Sequence, residues 1–571
     1  MKLLGIGASS GVAIAKVLKI TTQTPQISDQ KVDDIQAEIN NFKQAINKTI
    51  EEIGHIKTIA QQNIGADQAT VFDAHIQIIS DPVFQDEIIA FIGDKNINSI
   101  FATDIIAKKY INLFEQMDNQ YMRERASDIK DVTHRLINNL AGISTIDLTN
   151  LREKVIIIGH DITPSETAQM NKQFVLGFCA EVGGKTSHAA IMARSLEIPA
   201  VLGLQDITNH VQDGDEIAID GDSGMIIINP SHQEKAPLQV KINQLQSDKF
   251  ALEKYRNLPS LTQDGTKIEL AANIGSLNDI QSVIDNDGEA IGLFRSEFLY
   301  MDKNDWPSED EQFNAYKTVL EKMNGKLVVI RTLDIGGDKA LNYFKFPHED
   351  NPFLGYRAIR FSLDEKDKLK VQLRALIRAS IYGKLAIMFP MIATIEEFIQ
   401  AKNIYNEVYQ QLKTQNIEVN DNIQVGMMME IPSAALLAHQ FAKHADFFSI
   451  GTNDLMQYTM AHDRMNEKVS YLYQPLSPAI LSLISIIIKG AHHEGKWVGM
   501  CGEMAGDSTV IPFLIGLGIN ELSMTPSTIL KARKQIANIN IEDAKQLVAK
   551  ALTLSTSTEV RQLLTKFNQA K

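Results

Sequence analysis

Two kinds of segment in this sequence carry residue types suited to handling phosphate. The first is Gly183-Gly-Lys-Thr-Ser-His-Ala-Ala-Ile-Met-Ala-Arg-Ser. Its glycines leave backbone N–H groups open, and Ser187-His188-Ala189 opens a helix whose N-terminus favours an incoming anion. A histidine in that position, with Thr186 and Ser187 beside it, is a nucleophile candidate. A Walker A reading of Gly-Gly-Lys-Thr fails, because that motif needs a glycine where Cys179 stands. The second kind lies downstream. Arg295 and Glu297, Arg331 and Asp334, Lys339, Glu430, Asn453 and Asp454, Arg464, then Cys501 and Glu503 each follow an apolar run. Arginine forks suit phosphate and carboxylate. Glu430 and Asp454 could hold Mg²⁺, which borrows oxygens from a phosphorylated substrate, or act as an acid/base pair. Cys501, between Met500 and Gly502, is either a buried packing residue or an acid above an anionic site. Together they predict a small substrate carrying both phosphate and carboxylate.

These residues need elements to hold them. Apolar segments near 267–274, 290–294, 327–332, 385–390, 424–430, 447–451, 497–501 and 521–524 alternate with amphipathic stretches such as 395–412 and 434–443. That alternation predicts a (β/α)₈ TIM barrel over 263–571, whose C-terminal strand ends would gather the charged residues into one site. Around His188, strand-like segments at 155–158, 174–179, 216–219 and 225–228 predict an α/β domain over 145–232, joined by the β-branched residues 1–20. Residues 21–144 read as an inserted four-helix subdomain, with helices at 31–62, 66–93, 99–118 and 122–141 interrupted at Asp81-Pro82 and Asp118-Asn119. His75 and His134 there read as packing or surface histidines. Residues 233–262 read as a helical linker. The fold class is thus multidomain α/β. Gly5, Gly7 and Gly11 are spaced for a turn before a strand, not for a dinucleotide loop.

The bulk numbers fit. A chain of 571 residues implies roughly two to four domains. With a net charge of −14, a nucleic-acid or anionic-membrane role is disfavoured and a basic protein partner is welcome. No apolar run is long enough to span a membrane, no signal peptide is evident, and two distant cysteines argue against a disulfide framework, which points to a cytoplasmic protein.

The motifs resemble a known family. The His188 segment resembles the phosphohistidine segment of phosphoenolpyruvate-utilising enzymes. Asp161-Ile-Thr-Pro-Ser-Glu-Thr-Ala-Gln, Phe294-Arg-Ser-Glu-Phe-Leu, Arg331-Thr-Leu-Asp-Ile-Gly-Gly-Asp-Lys, Asn351-Pro-Phe-Leu-Gly-Tyr-Arg, Gly426 to Pro432, Phe448-Ser-Ile-Gly-Thr-Asn-Asp-Leu and Val498-Gly-Met-Cys-Gly-Glu-Met-Ala are similar to Enzyme I of the bacterial sugar phosphotransferase system, almost end to end. The resemblance implies transfer of a phosphoryl group from phosphoenolpyruvate to His188 and on to the carrier protein HPr, releasing pyruvate. It implies that the α/β domain swivels, that Thr167 orients His188, and that Arg295, Arg331, Asn453 and Arg464, with Arg357 and Lys339, hold phosphoenolpyruvate. It further implies Mg²⁺ on Glu430 and Asp454, protonation of the enolate by Cys501, HPr docking on the helical insert through His75 and Arg125, and a homodimer formed by the barrel. Lys185 stands where arginine is more familiar. A pyruvate phosphate dikinase or phosphoenolpyruvate synthase would need an ATP-binding domain ahead of the His188 domain. A non-catalytic phosphoenolpyruvate sensor would be expected to lack some of His188, Cys501, Glu430 or Asp454.

Overall fold

The structure is a computed structural model. It describes residues 1–571 except 21–24, 26, 64–70, 117–119, 144–147, 150, 185–186, 197, 302, 304, 338, 340, 342, 464–465 and 570–571, and the side chains of 61–63, 120–124, 188, 195, 249 and 467. The chain divides into two compact units, Met1–Asp248 and Lys249–Lys571.

The first unit is built on an eight-stranded sheet: β1 (Lys2–Leu4), β2 (Ile6–Ser9), β3 (Val12–Ile20), β4 (Val155–Gly159), β5 (Val175–Ala180), β6 (Ala200–Leu202), β7 (Glu216–Asp220) and β8 (Met225–Ile228). The order is β1-β8-β7-β3-β4-β5-β6-β2, parallel from β3 through β6 and antiparallel elsewhere. The run Val-Ile-Ile-Ile-Gly of β4 is buried throughout, as expected of a parallel strand covered on both faces. Its side chains alternate between two cores: Ile157 packs with Phe178, and Ile156 and Ile158 pack with Cys179. Residues 1–20 thus share a sheet with residues 155–228, and a helical block stands between β3 and β4.

That block contains five α-helices among the described residues: Ile35–Asn63, Val71–Ser80, Pro82–Lys95, Ser99–Glu115 and Gln120–Leu140. Phe42, Ile46, Ile53 and Ile56 form the buried stripe of the first. Within the stretch read as helical over 66–93, the described residues form two helices, divided at the Asp81-Pro82 interruption. Asp81 caps the second of them by accepting a hydrogen bond from Val83 N–H, and Pro82 occupies the first helical position, where its missing N–H costs nothing. After β8 comes the helix His232–Glu253, within which the two units divide.

The second unit is a closed barrel of eight parallel strands: β9 (Glu269–Ile274), β10 (Ala290–Arg295), β11 (Leu327–Arg331), β12 (Lys384–Phe389), β13 (Gln424–Met429), β14 (Phe447–Ile450), β15 (Trp497–Met500) and β16 (Glu521–Met524). Closure is made by β16 pairing with β9. Leu293, Val329, Met388, Met428 and Phe447 fill the interior, and Cys501 joins them from the β15 end. A larger apolar layer lies between strands and helices. The anticipated helix at 434–443 is two short ones, Pro432–Leu436 and Ala438–Ala442. No helix among the described residues is long and apolar enough to cross a membrane.

Candidate active site

In the first unit, His188 is the first residue of the helix His188–Leu196. Ser187 caps it: its Oγ accepts from Ala190 N–H at 3.3 Å and donates to Gly184 O at 2.9 Å. Gly183 has φ +106°, a conformation that suits glycine and turns the chain into the cap. The far end is tied down where Arg194 donates to Ala8 O at 2.9 Å. This helix packs against the helix Pro164–Ala168, which carries Thr167. Thr167 is fully buried, and its hydroxyl donates to Thr163 O at 2.8 Å. Thr163 and Glu166 form a reciprocal cap on that helix. A cleft of about 750 Å³ opens here, lined by Asp131, His134, Asp161, Glu166 and Ser187 among others. Burial pushes the Glu166 carboxyl up to about 7 despite the hydrogen bonds from Thr163. The His188 side chain, Lys185 and Thr186 lie outside the described atoms.

His75 is fully buried. Its Nε2 lies 3.4 Å from Asp128 Oδ1 and its Nδ1 4.0 Å from Asp131 Oδ2, and its ring meets Phe72 edge-on. That burial leaves His75 no surface to offer a partner in this conformation. The residue sits on the inward stripe of its helix, alongside buried Phe72 and Ile79. Arg125 is partly exposed and pairs with Asp128 at 3.2 Å. His134 lines the cleft, and burial lowers its pKa.

In the second unit, the charged residues meet at the C-terminal ends of the strands. Arg331, the last residue of β11, is held by Glu297 and by Asp334 Oδ2 at 2.9 Å. Asp334 Oδ1 accepts from Arg357 at 3.0 Å. Gly336 and Gly337 both have positive φ, +96° and +68°, and turn the chain so that Lys339 Nζ returns to within 3.4 Å of Glu297 and of Asp334. Burial alone would raise the Asp334 carboxyl, but Arg331, Lys339 and Arg357 outweigh it and hold it well below the usual range. Arg295 ends β10, exposed and without a hydrogen bond or ion pair among the described residues.

Glu430 directly follows β13 and is 1% exposed. Its Oε1 accepts from Met391 N–H at 2.6 Å. Met391 holds φ +57°, a strained choice for a non-glycine residue. Burial first, then the nearby Asp454 and Asp334 carboxylates, push the Glu430 carboxyl well above the usual range, only partly offset by Arg331 and Arg357. Asp454 lies in the first turn of the helix Thr452–Met460. Its Oδ1 is buried without a hydrogen-bond partner among the described residues, with Arg357 3.6 Å away. Two mutually repelling carboxyl groups, one with an unsatisfied oxygen, fit a divalent cation taken with oxygen ligands. Asn453, beside it, donates weakly to Glu503 at 3.4 Å.

Cys501 follows β15, is 4% exposed, and packs on the barrel interior. Burial pushes its thiol up to about 11, so it stays protonated near neutrality. Asn273 donates to its carbonyl at 3.0 Å. A side chain on Gly502 would reach within 2.6 Å of Thr452 N, so this turn lies flat against the start of the Asn453-Asp454 helix. Arg464 lies outside the described residues.

The structure therefore brings Arg331, Lys339, Arg357, Glu430 and Asp454 into one charge network. Asp334, named with Arg331 in the sequence, bridges the two buried arginines. Two participants have no place in the sequence-derived site. Tyr458 accepts from Arg357 at 3.3 Å. Met391 supplies the N–H to Glu430. Tyr458 could have been found by its position four residues after Asp454, one helical turn on. Met391 gives no sequence signal.

Three family models match the chain: "PEP-utilising enzyme, N-terminal" over residues 4–125, "PEP-utilising enzyme, mobile domain" over 151–224, and "PEP-utilising enzyme, PEP-binding domain" over 249–541. A phosphoenolpyruvate-protein phosphotransferase of Bacillus subtilis (strain 168) is 51% identical over 98% of this chain and 98% of its own. One from Staphylococcus carnosus (strain TM300) is 50% identical over 100% of this chain and 99% of its own. A solution structure of an Enzyme I protein is 38% identical, covers 43% of this chain and 99% of its own, and has a TM-score of 0.40. With a half-length family match and full-length identity of this order, the chain belongs to the phosphoenolpyruvate-protein phosphotransferases.

Proposed function

We propose that the chain takes the phosphoryl group of phosphoenolpyruvate onto His188 and passes it to the carrier protein HPr, the first step of the sugar phosphotransferase system. The observation that carries this reading is the barrel-mouth network. Buried arginines, two carboxyl groups suited to a cation and a thiol kept protonated converge where a phosphorylated carboxylic acid would sit. Arg295, Arg331, Asn453 and Arg464, with Arg357 and Lys339, would bind the substrate's anionic groups. Arg331 is fixed by Glu297 and Asp334 before substrate arrives, so little ordering is left for the reaction. Glu430 and Asp454 would hold Mg²⁺, which when bound supplies positive charge against phosphate and enolate oxygens.

Neutral His188 attacks phosphorus as the P–O bond to the enol oxygen breaks, and the electron pair leaves as enolate. The Cys501 thiol gives its proton to the enolate carbon, forming pyruvate, and the thiolate recovers a proton from solvent. Thr167, through the packing of its helix on that of His188, would set the histidine's orientation. His188 and the barrel belong to separate compact units, so the α/β domain that carries His188 would swing between the barrel and the carrier. HPr would dock on the helical insert through exposed residues and Arg125. A homodimer formed by the barrel and a cytoplasmic location complete the proposal.

Incubation with ³²P-phosphoenolpyruvate and Mg²⁺ tests it. Acid-labile label on the parent protein, absent from His188→Ala and discharged by HPr, is the expected result. Label persisting in His188→Ala would overturn the assignment. The rate should also fall as pH drops below about 6.5, where an ordinary imidazole protonates.

A further inference from the structure

We propose that His439, His493 and Glu494 form a binding site for one divalent ion of the zinc class, on the face of the barrel opposite Glu430. His439 Nε2 lies 2.8 Å, and His493 Nδ1 3.1 Å, from the same oxygen, Glu494 Oε1. The two imidazoles meet edge-on with centroids 4.2 Å apart. One ligand atom from each residue lies within 4.8 Å of the other two, the scale of a single coordination sphere. As a cluster of ion pairs the arrangement is poor, because two imidazolium rings this close repel. As a ligand set it is coherent: two neutral nitrogens and one carboxylate, with a metal replacing the protons the rings would otherwise share with Glu494.

The frame is rigid. His439 sits in the helix Ala438–Ala442, and His493 ends the helix Pro478–His493. The helices touch at Gly490, where a side chain would come within 2.7 Å of His439 N and 2.9 Å of Ala438 Cβ. Both lead into strand beginnings, β14 and β15, so the cluster lies at the strands' N-terminal ends. Strands of four to six residues place it roughly 13–20 Å from the catalytic end. All three side chains are partly or well exposed, leaving open positions for water. Nitrogen-rich donors select Zn²⁺, Co²⁺, Ni²⁺ or Cu²⁺ over Mg²⁺, which prefers oxygen. An ion here would clip the two helices together.

The test is a Co²⁺ titration of the full chain under saturating Mg²⁺, read by visible d–d absorption, with Zn²⁺ displacement. One equivalent should bind the parent, and His439→Ala and His493→Ala should each weaken it at least tenfold. His444→Ala, an exposed histidine nearby on the same stretch, should leave it unchanged. Glu494→Gln, which keeps size and hydrogen bonding, should also weaken binding while pyruvate formation with Mg²⁺ stays at the parent level. Zn²⁺ should raise the unfolding temperature of the parent and not of His493→Ala. No saturable Co²⁺ binding by the parent, or binding equal in all three triad variants, would overturn the proposal.

Discussion

Replacing Asp334 by asparagine removes one charge from the most crowded part of the barrel mouth while keeping its shape. Asp334 accepts from Arg331 at 2.9 Å and Arg357 at 3.0 Å, and the two arginine side chains are only 6% and 2% exposed. Arg331 would keep Glu297. Arg357 would keep a neutral acceptor in place of the carboxylate, the Tyr458 hydroxyl at 3.3 Å, the Phe353 ring, and one charge partner, Asp454 at 3.6 Å. The cost is therefore close to that of breaking one buried pair by removing one partner, about 3–5 kcal/mol. Urea unfolding followed by tryptophan fluorescence measures it cleanly, because Trp306 and Trp497 are the chain's two tryptophans and both lie in the second unit. Asp421→Asn is the control. Its partner Lys413 is 2.5 Å away, but Asp421 is 70% exposed, so solvent screens the pair and the substitution should leave the unfolding midpoint unchanged. Pyruvate formation should also fall at least tenfold in Asp334→Asn, because the uncompensated Arg357 is drawn toward the Asp454 oxygen. A stability loss below about 1 kcal/mol for Asp334→Asn would refute this charge accounting.

Other outcomes follow from the same geometry. With its thiol at about 11, only roughly one Cys501 in a thousand is ionised at pH 8, so iodoacetamide should label it far more slowly than free cysteine; rapid labelling at pH 8 would contradict that. Gly502→Ala should cost about 1–3 kcal/mol by overpacking, because the new methyl has backbone, Thr452 N at 2.6 Å, in its way. Gly275→Ala, where nothing lies within 4 Å, should be silent in the same unfolding and pyruvate assays. Glu166 is raised from 4.5 to about 7, so the folded state keeps a proton that the unfolded chain releases, and stability falls as pH rises between those values. Glu166→Gln preserves the reciprocal cap and should flatten that decline, at most about 3 kcal/mol, in calorimetry from pH 4.5 to 7.5; an unchanged slope would count against it.

The barrel strands were legible because parallel strands are covered on both faces and read as unbroken apolar runs, such as Val425 to Met429. The three-residue β6 was too short to register, and the division of residues 2–20 into three strands falls at Gly5, which lies against the Leu202 carbonyl, and at Gly11, where φ is +122°, not at a change of apolar pattern. Helical periodicity marked the buried stripe of Ile35–Asn63, but it could not say what covers His75, whose partners Asp128 and Asp131 come from another helix. At the site, charged residues after apolar runs located the mouth. Which charges pair there depends on turns such as Gly336-Gly337 and on the backbone conformation of Met391, which sequence does not display.

The interruption of the first sheet bears on how the chain folds. The backbone leaves the sheet at Ile20 and rejoins it, as the neighbouring parallel strand, at Val155. As a flexible loop, that excursion would cost about 4 kcal/mol of closure entropy before β3 and β4 could pair. A helical block that forms first brings its own ends together and removes most of that cost. The strand residues 12–20 are then synthesised long before their neighbours and must wait, unpaired, for β4 and β7. The helical block acts as an internal splint, and mutations that loosen it should slow formation of a sheet it barely belongs to.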